Sequence, residues 1–441
     1  MTCSFSHLFL SIAFAASLLC GCKGTELEGT IPEGPYSSIS PVGNSTILCA
    51  KEHTFDDGNP PLNEWFLLGE PVTNKLYYSR SLTDRIYLVT FDGDIQEYSF
   101  GILPSGDIIA CKRAEYLKDG GNDANRVNPF VFKAAEKWRI QHEVDFGKQL
   151  KPCGWARNGG FRPLPDGSAL MCEYTRITVA TSNVWKIVGD PTKPKNWEVK
   201  KSFTLSGDRD RGFKHCHAIM YDHFTGVMYL STGDDSTGAM VFASTDKGES
   251  WRMLREPSEK WCRLSMMTFT KDYIYWGQDS PAQHNFYRGE RVDGVLDYST
   301  VVPWVVIPGD KDHYFSTYGQ AYLPEFDAVL LLDRQDNSSP GQVLPIRVIN
   351  LSEGTIETIG YVENTDPEGG FVGFRTIYSE WYPVGGRIHL GFGFGAPTIN
   401  KNKVCGNQWP IVHGAKSVNN LCICVWKEDG KWSLRFETIY L

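Results

Sequence analysis

A turn followed by a β-rich run recurs seven times along this chain, and that recurrence limits what it can fold into. Gly43-Asn44 precedes STILCA, Gly106-Asp107 precedes IIACKR, and Asp166-Gly167 precedes SALMCEY. Thr225-Gly226 precedes VMYLSTGD, Lys271-Asp272 precedes YIYWGQD, Asp327 precedes AVLLLDRQD, and Gly385-Gly386 precedes RIHLGFGF. The last turn residues are 44, 107, 167, 226, 272, 327 and 386, at spacings of 46 to 63 residues. Units of that length cannot bury an apolar face alone and must stack on one another. The expected fold is all-β, a seven-bladed β-propeller of four-stranded antiparallel blades, with six as the alternative count and a β-sandwich as the competing architecture.

The second halves of the repeats agree with this reading. Pro129–Ala134 and Trp138–Val144 follow the second turn, and Asn183–Val188 and Asn196–Phe203 follow the third. Leu344–Leu351 and Thr355–Val362 follow the sixth, and Leu421–Trp426 and Lys431–Thr438 close the chain. With 13% aromatic residues, 43 Gly and 24 Pro, the 441-residue chain leans towards strands and turns. Its 41% hydrophobic content gives a sizeable core. A formal net charge of −8 argues against a nucleic-acid partner but leaves an anionic substrate open, because local charge decides that.

The ends of the chain carry separate signals. Leu8–Leu19 is apolar, too short to span a bilayer, and followed by small residues, as in a secretory signal. Leu19-Cys20-Gly21-Cys22 resembles a bacterial lipobox, which makes Cys22 the lipidated residue, although the first ten residues hold no Lys or Arg. Residues 1–22 are read as the leader, 23–35 as a tether and 36–441 as one propeller domain. The expected location is an outer-membrane or cell-surface lipoprotein, or the periplasm or exterior if Cys22 is not lipidated, and the expected state is a monomer.

Of 12 Cys, three lie in the leader, leaving an odd nine that cannot all pair within the chain. Cys49, Cys111 and Cys172 are read as equivalent positions of successive repeats, and so as small buried core residues. Cys422 and Cys424 are two apart on a strand and share a face.

Ser244-Thr-Asp246-Lys-Gly248-Glu-Ser-Trp251 matches the Asp-box, a β-turn in which Asp246 accepts backbone N–H bonds, Gly248 takes positive φ and Trp251 packs beneath. KAAEKW and KEDGKW occupy the same place in other repeats. In a propeller, residues about ten before a turn anchor and about eight after it share one mouth, opposite the Asp-box. The mouth candidates before the anchors are Arg157, Arg162, His215, His217, Arg263, Tyr314, Tyr318, Arg375 and Tyr378. Those after them are Glu173, Arg176, Asp234, Asp235, Gln278, Asp279, Arg334 and Asp336, and the approach to His215 adds Arg209, Arg211 and Lys214. His284 is a weaker candidate, and the early Tyr87 and Tyr98 are further, unranked ones. A basic, aromatic-lined mouth suits a carboxylated or sulfated sugar. His215 and His217 can serve as an acid/base pair, as metal ligands or as core donors. Any one Arg can equally be a salt bridge between blades, and Asp234-Asp235 can equally cap a turn.

The Asp-box and repeat pattern resemble the BNR/Asp-box propellers of the sialidase-like superfamily. Phe161-Arg162-Pro163 echoes only part of the sialidase Phe-Arg-Ile-Pro string, and seven anchors do not fit a six-bladed sialidase. The chain is more similar to seven-bladed propeller polysaccharide lyases, whose sites use His, Tyr and Arg. That resemblance implies catalytic roles for His215, His217, Tyr318 and Arg263. Substrate contacts are expected from Arg162, Arg211, Asp234, Asp235, Asp279, Arg334 and Arg375. The implied reaction is β-elimination on a uronic-acid polysaccharide. Arg neutralises the carboxylate while His or Tyr moves protons. A glycoside hydrolase using mouth carboxylates and a non-catalytic glycan-binding surface lipoprotein are the alternatives. No cofactor is expected, and a divalent metal at His215 and His217 stays open.

Overall fold

Alternating turns and strands give seven successive sheets in the computed structural model. The described residues are 39–40, 46–53, 62–70, 73–79, 85–112, 129–134, 138, 141–143, 159–174, 181–189, 197–206, 215–233, 237–264, 266–279, 285–307, 315–323, 326–338, 343–364, 370–373, 375–376, 387–391, 396–400, 403–407 and 420–439. Blade 1 is Thr46–His53, Leu62–Glu70, Lys75–Ser79 and Arg85–Thr90, with Ile39–Ser40 on its outer edge. Blade 2 is Tyr98–Ile102, Ile108–Lys112, Phe130–Phe132 and Gln141–Glu143. Blade 3 is Phe161–Pro163, Ala169–Cys172, Thr181–Gly189 and Trp197–Ser206. Blade 4 is His215–Asp222, Val227–Gly233, Val241–Ser244 and Arg252–Arg255. Blade 5 is Thr268–Phe269, Tyr273–Gly277, Asn285–Val292 and Val302–Val306, with Val295–Leu296 folded onto its third strand.

Blades 6 and 7 interleave. Blade 6 is Phe315–Leu323, Ala328–Ser338, Val343–Asn350 and Thr355–Asn364. Gly370–Gly373 joins its second strand, and the hairpin Ala396–Asn400 with Lys403–Asn407 extends its outer edge in parallel pairing. Blade 7 is Arg375–Thr376, Arg387–Gly391, Asn420–Glu428 and Lys431–Ile439. The inner strand of blade 6 contacts those of blades 5 and 7, and the inner strand of blade 1 contacts both blade 2 and Arg387–Gly391 of blade 7. The sheets thus follow one another in a ring that closes on itself, a β-propeller.

Each described joint between blades is a separate apolar core. Blades 1 and 2 share Trp65, Leu67, Phe100 and Phe132, and blades 2 and 3 share Ile109, Val131, Phe161 and Met171. Blades 3 and 4 share Leu170, Leu205, Ile219 and Leu230, and blades 4 and 5 share Met220, Tyr229, Phe269 and Trp276. Blades 5 and 6 share Tyr275, Phe286, Val329 and Leu331. Each fully buried Leu, Ile or Phe of this kind stabilises the fold by about 1.5–3 kcal/mol.

Five of the seven expected anchors fall at one place, the turn from inner to second strand, and Gly385-Gly386 lies outside the described residues. Gly106, Gly167 and Gly226 supply positive φ there (87°, 86° and 72°), which an L side chain resists. The first anchor is a correction. Gly43-Asn44 precedes the inner strand Thr46–His53, and the equivalent connection of blade 1 lies between His53 and Leu62. The count of seven survives because the residues up to Thr90 supply a complete blade. Cys49 is corrected with it: it sits on an inner strand, whereas Cys111 and Cys172 sit on second strands. All three are buried free thiols. Tyr87 lies on the fourth strand of blade 1, bonded through its hydroxyl to Thr90, away from the axis. The leader, the tether and Cys22 lie outside the described residues.

Candidate active site

The mouth of blade 4 is built by an irregularity in strand pairing. His215 pairs with Gly233 and Cys216 with Thr232, but Ala218 pairs with Ser231, so His217 is an extra residue in the ladder. Below the bulge the strand alternates: Ala218 and Met220 pack towards blade 5, Ile219 and Tyr221 towards blade 3. Unbroken alternation would turn His217 towards blade 3 and Cys216 towards blade 5. The bulge reverses both. Cys216 joins the core shared with blade 3, and His217 reaches a carbonyl of the segment leading into blade 5.

His217 is held on three sides. Its Nδ1 lies 3.1 Å from Leu264 O and 3.9 Å from Asp279 Oδ2. A carbonyl only accepts, so Nδ1 carries the proton and Nε2 the lone pair in the neutral ring. The ring packs tightly against Gly233: a Cβ at that position would stand 2.2 Å from Cε1 and 2.5 Å from Nε2. Asp279 is fixed by its own N–H, which donates to Arg263 O at 2.9 Å. His215 stacks obliquely beside His217, ring centroids 5.1 Å apart, and Tyr174 covers His215 at 4.2 Å. His215 and His217 are 6% and 7% exposed, and Tyr174 over His215 is half-buried.

The register extends this geometry around the ring. Tyr174, Gly233, Asp279 and Arg334 each stand seven residues beyond their turn anchor, and Arg263, His217 and Tyr318 each stand nine before theirs. In blade 6 Ser316 pairs with Arg334, as His215 pairs with Gly233, and the shift between Thr317 and Gly319 makes Tyr318 the extra residue there. Tyr318 therefore occupies in blade 6 the bulge position that His217 occupies in blade 4.

Other sequence candidates serve the scaffold. Glu173 is 1% exposed, and its carboxylate accepts from Asn183 N at 2.8 Å, Asn183 Nδ2 at 3.1 Å and Trp185 Nε1 at 2.9 Å. Arg162, also 1% exposed, donates from Nε to Ile219 O at 3.1 Å and so ties blade 3 to blade 4. Gln278 accepts from the Tyr287 hydroxyl. Arg211, Asp234, Asp235, Arg157, Arg176, Arg209, Lys214, His284, Tyr314 and Tyr378 lie outside the described residues, as do the side chains of Tyr318, Arg334, Asp336 and Arg375. Thr232 ties the end of its strand to residues 238–240, accepting from Met240 N at 3.0 Å and donating to Gly238 O at 2.6 Å. Among the described residues no three His, Cys, Asp or Glu side chains converge as a metal cage. Tyr174, Gly233 and the Leu264 carbonyl were not singled out from sequence. Counting seven from each anchor finds the first two, but no sequence signal marks a backbone carbonyl.

The opposite end of blade 4 has a different character. Ser244 Oγ donates to Asp246 Oδ1 at 2.7 Å, Ser250 N donates to the same oxygen at 2.9 Å, and Gly248 N donates to Ser244 Oγ at 2.8 Å. Gly248 has φ of 84°, and Trp251 packs into the core between blades 3 and 4 while donating to Ser202 Oγ at 3.0 Å. KAAEKW and KEDGKW occupy the same third-to-fourth connection in blades 2 and 7. Beside the inner turn of blade 4, Asp222 accepts from Arg291 Nε at 2.7 Å, both side chains being buried. His223 next to it is held near pKa 4, below its ordinary 6.5, by burial and by the Arg291 charge, which outweigh Asp222.

The chain matches no family profile and no curated protein sequence. Among solved structures it is similar to the Pseudomonas aeruginosa periplasmic gluconolactonase, with TM-score 0.48, 9% identity, and 92% of this chain and 97% of that one covered. It is also similar to a Lactobacillus plantarum protein, with TM-score 0.49, 10% identity, and 90% and 96% covered. A Niastella koreensis GH74 enzyme gives TM-score 0.42 and 10% identity, with 90% and 67% covered. At these identities the likeness is one of chain path, and the propeller assignment rests on the strand pairing above.

Proposed function

We propose that this propeller is a glycan-active enzyme that cleaves a uronic-acid-containing polysaccharide by β-elimination, with His217 as the group that moves the proton. The observation that carries the proposal is the setting of His217: Nδ1 on Leu264 O, Asp279 Oδ2 at 3.9 Å and His215 alongside. That setting leaves Nε2 as the basic nitrogen and puts a carboxylate beside the imidazolium that forms. In the reaction the proton next to the sugar carboxylate passes to His217, a carbon–carbon double bond forms, and the glycosidic C–O bond breaks. Tyr318 or His215 returns a proton to the leaving oxygen. Arg263, with Arg211, Arg334 and Arg375, is assigned to the substrate carboxylates, where a guanidinium stabilises the developing enolate. The resemblance to propeller polysaccharide lyases supports the same chemistry. The protein is proposed to act as an exported monomer on an anionic polysaccharide, anchored through Cys22.

The hydrolase alternative needs two accessible carboxylates, and Glu173 is already bonded to Asn183 and Trp185. A second reading, a non-catalytic glycan-binding propeller, is favoured by the burial of both histidines, with Tyr174 covering His215. Digestion of a panel of uronate polysaccharides decides between them. Unsaturated-uronate absorbance rising with reducing ends supports the lyase. Reducing ends alone point to hydrolysis, and binding with neither signal points to a recognition module.

A further inference from the structure

Cys172 ends the second strand of blade 3, and Cys216 lies one residue into the inner strand of blade 4. Both are fully buried in the one apolar cluster that the two blades share. The backbones meet at this point: Cys216 N–H donates across the blade joint to the carbonyl of Glu173, the residue after Cys172, at 3.4 Å. The two thiols stand within hydrogen-bonding reach of each other, with the Ser182 hydroxyl beside Cys216. Of the other cysteines whose side chains are described, Cys49 lies between blades 1 and 2, Cys111 between blades 2 and 3, and Cys262 between blades 4 and 5.

We propose that Cys172 and Cys216 form a disulfide when the chain folds in the presence of an oxidising disulfide such as oxidised glutathione, stitching blade 3 to blade 4 directly beside His215 and His217. The step is thiol–disulfide exchange. One protein thiolate attacks oxidised glutathione, forming a mixed disulfide and releasing one glutathione thiolate. The second protein thiolate then attacks the protein-side sulfur and expels the second glutathione. Two protein thiols and one oxidised glutathione become one protein disulfide and two reduced glutathiones, which take up the two protons.

Timing follows from burial. Desolvation raises the Cys216 thiol well above its ordinary range, and the contact with Cys172 raises it further, so the attacking thiolate is scarce in the folded protein. Neither sulfur meets solvent. The bond therefore forms before blades 3 and 4 close on one another, and the finished fold keeps whichever state it was made in. The inference does not depend on the reaction proposed above.

The test uses the full chain, produced once by export into an oxidising compartment and once in a reducing cytosol. Each preparation is denatured without reductant, alkylated with iodoacetamide and mapped by mass spectrometry. The exported protein is expected to yield a peptide pair joined through Cys172 and Cys216, two hydrogen masses lighter than the separate thiol peptides, with alkylation lost at both positions and recovered after reduction. The cytosolic protein is expected to carry alkylation at both. In exported Cys172→Ser, alkylation returns at Cys216. Full alkylation of both residues in the exported wild type, or a bond from either to a different cysteine, overturns the proposal.

Discussion

The two ends of blade 4 use the same strands and solve opposite problems. At the turn end, Asp222 meets Arg291 and Asp246 gathers hydroxyl and backbone donors from its own turn. Asp246 finds its partners within its own turn, and Asp222 pairs charge to charge with Arg291 of blade 5. At the mouth end a bulge re-aims His217, a glycine makes room for its ring, and the partners come from the neighbouring blades. The difference teaches that regular strand pairing and turn chemistry serve the turn end, whereas the mouth is assembled by a break in that pairing. Such departures are where a fold carries chemistry.

Gly233→Ala breaks the comparison most strongly. Its new methyl would overlap the His217 ring and turn it off Leu264 O. A loss of about a hundredfold or more in kcat/KM is expected, the scale of removing a general base. The matched control is Gly226→Ala at the other end of the same strand, where φ is 72° and the nearest atom to a Cβ is 3.8 Å away. There a stability loss of about 1–2 kcal/mol is expected from backbone strain alone, with kcat/KM unchanged. Equal effects of the two substitutions on activity would erase the distinction between the ends.

The next effect belongs to the turn end. Asp222→Ala leaves Arg291 buried without its carboxylate, for a cost of about 3–5 kcal/mol in denaturant unfolding. His223 gives a pH signature of similar origin. Its folded pKa of about 4 lies below the ordinary 6.5, so the unfolded chain binds the proton first as pH falls. This contribution is fully present above pH 6.5 and is lost as pH drops from 6.5 towards 4, amounting to about 3 kcal/mol. His223→Gln should flatten unfolding free energy measured across that window. Asp246→Ala is the smallest change, about 1 kcal/mol, because the turn is exposed and water replaces part of what is lost.

Much of the propeller was legible because turn chemistry and strand period are written locally. Gly106, Gly167 and Gly226 sit where positive φ is required, and the Asp-box spells its own hydrogen bonds. The first anchor misled because Gly43-Asn44 carries turn residues without being the inner turn. The mouth was legible in part. His215 and His217 stood out as residue types two apart, and they do lie together. What the sequence did not reveal is the bulge that turns His217 towards blade 5, since a register shift depends on the partner strand. Glu173 and Arg162 looked like ligand groups by type, but burial commits them to Trp185, Asn183 and Ile219.

The measurement that tests the account most directly is the rate at which unsaturated uronate absorbance appears when wild type and His217→Ala act on the same polysaccharide, with melting temperatures recorded alongside. The account predicts steady product from the wild type and a loss of at least a hundredfold in the variant, assayed well below a melting temperature that drops with the loss of the bond to Leu264 O. A variant that keeps the wild-type rate, or a wild type that yields no absorbance on any uronate polysaccharide, would contradict it.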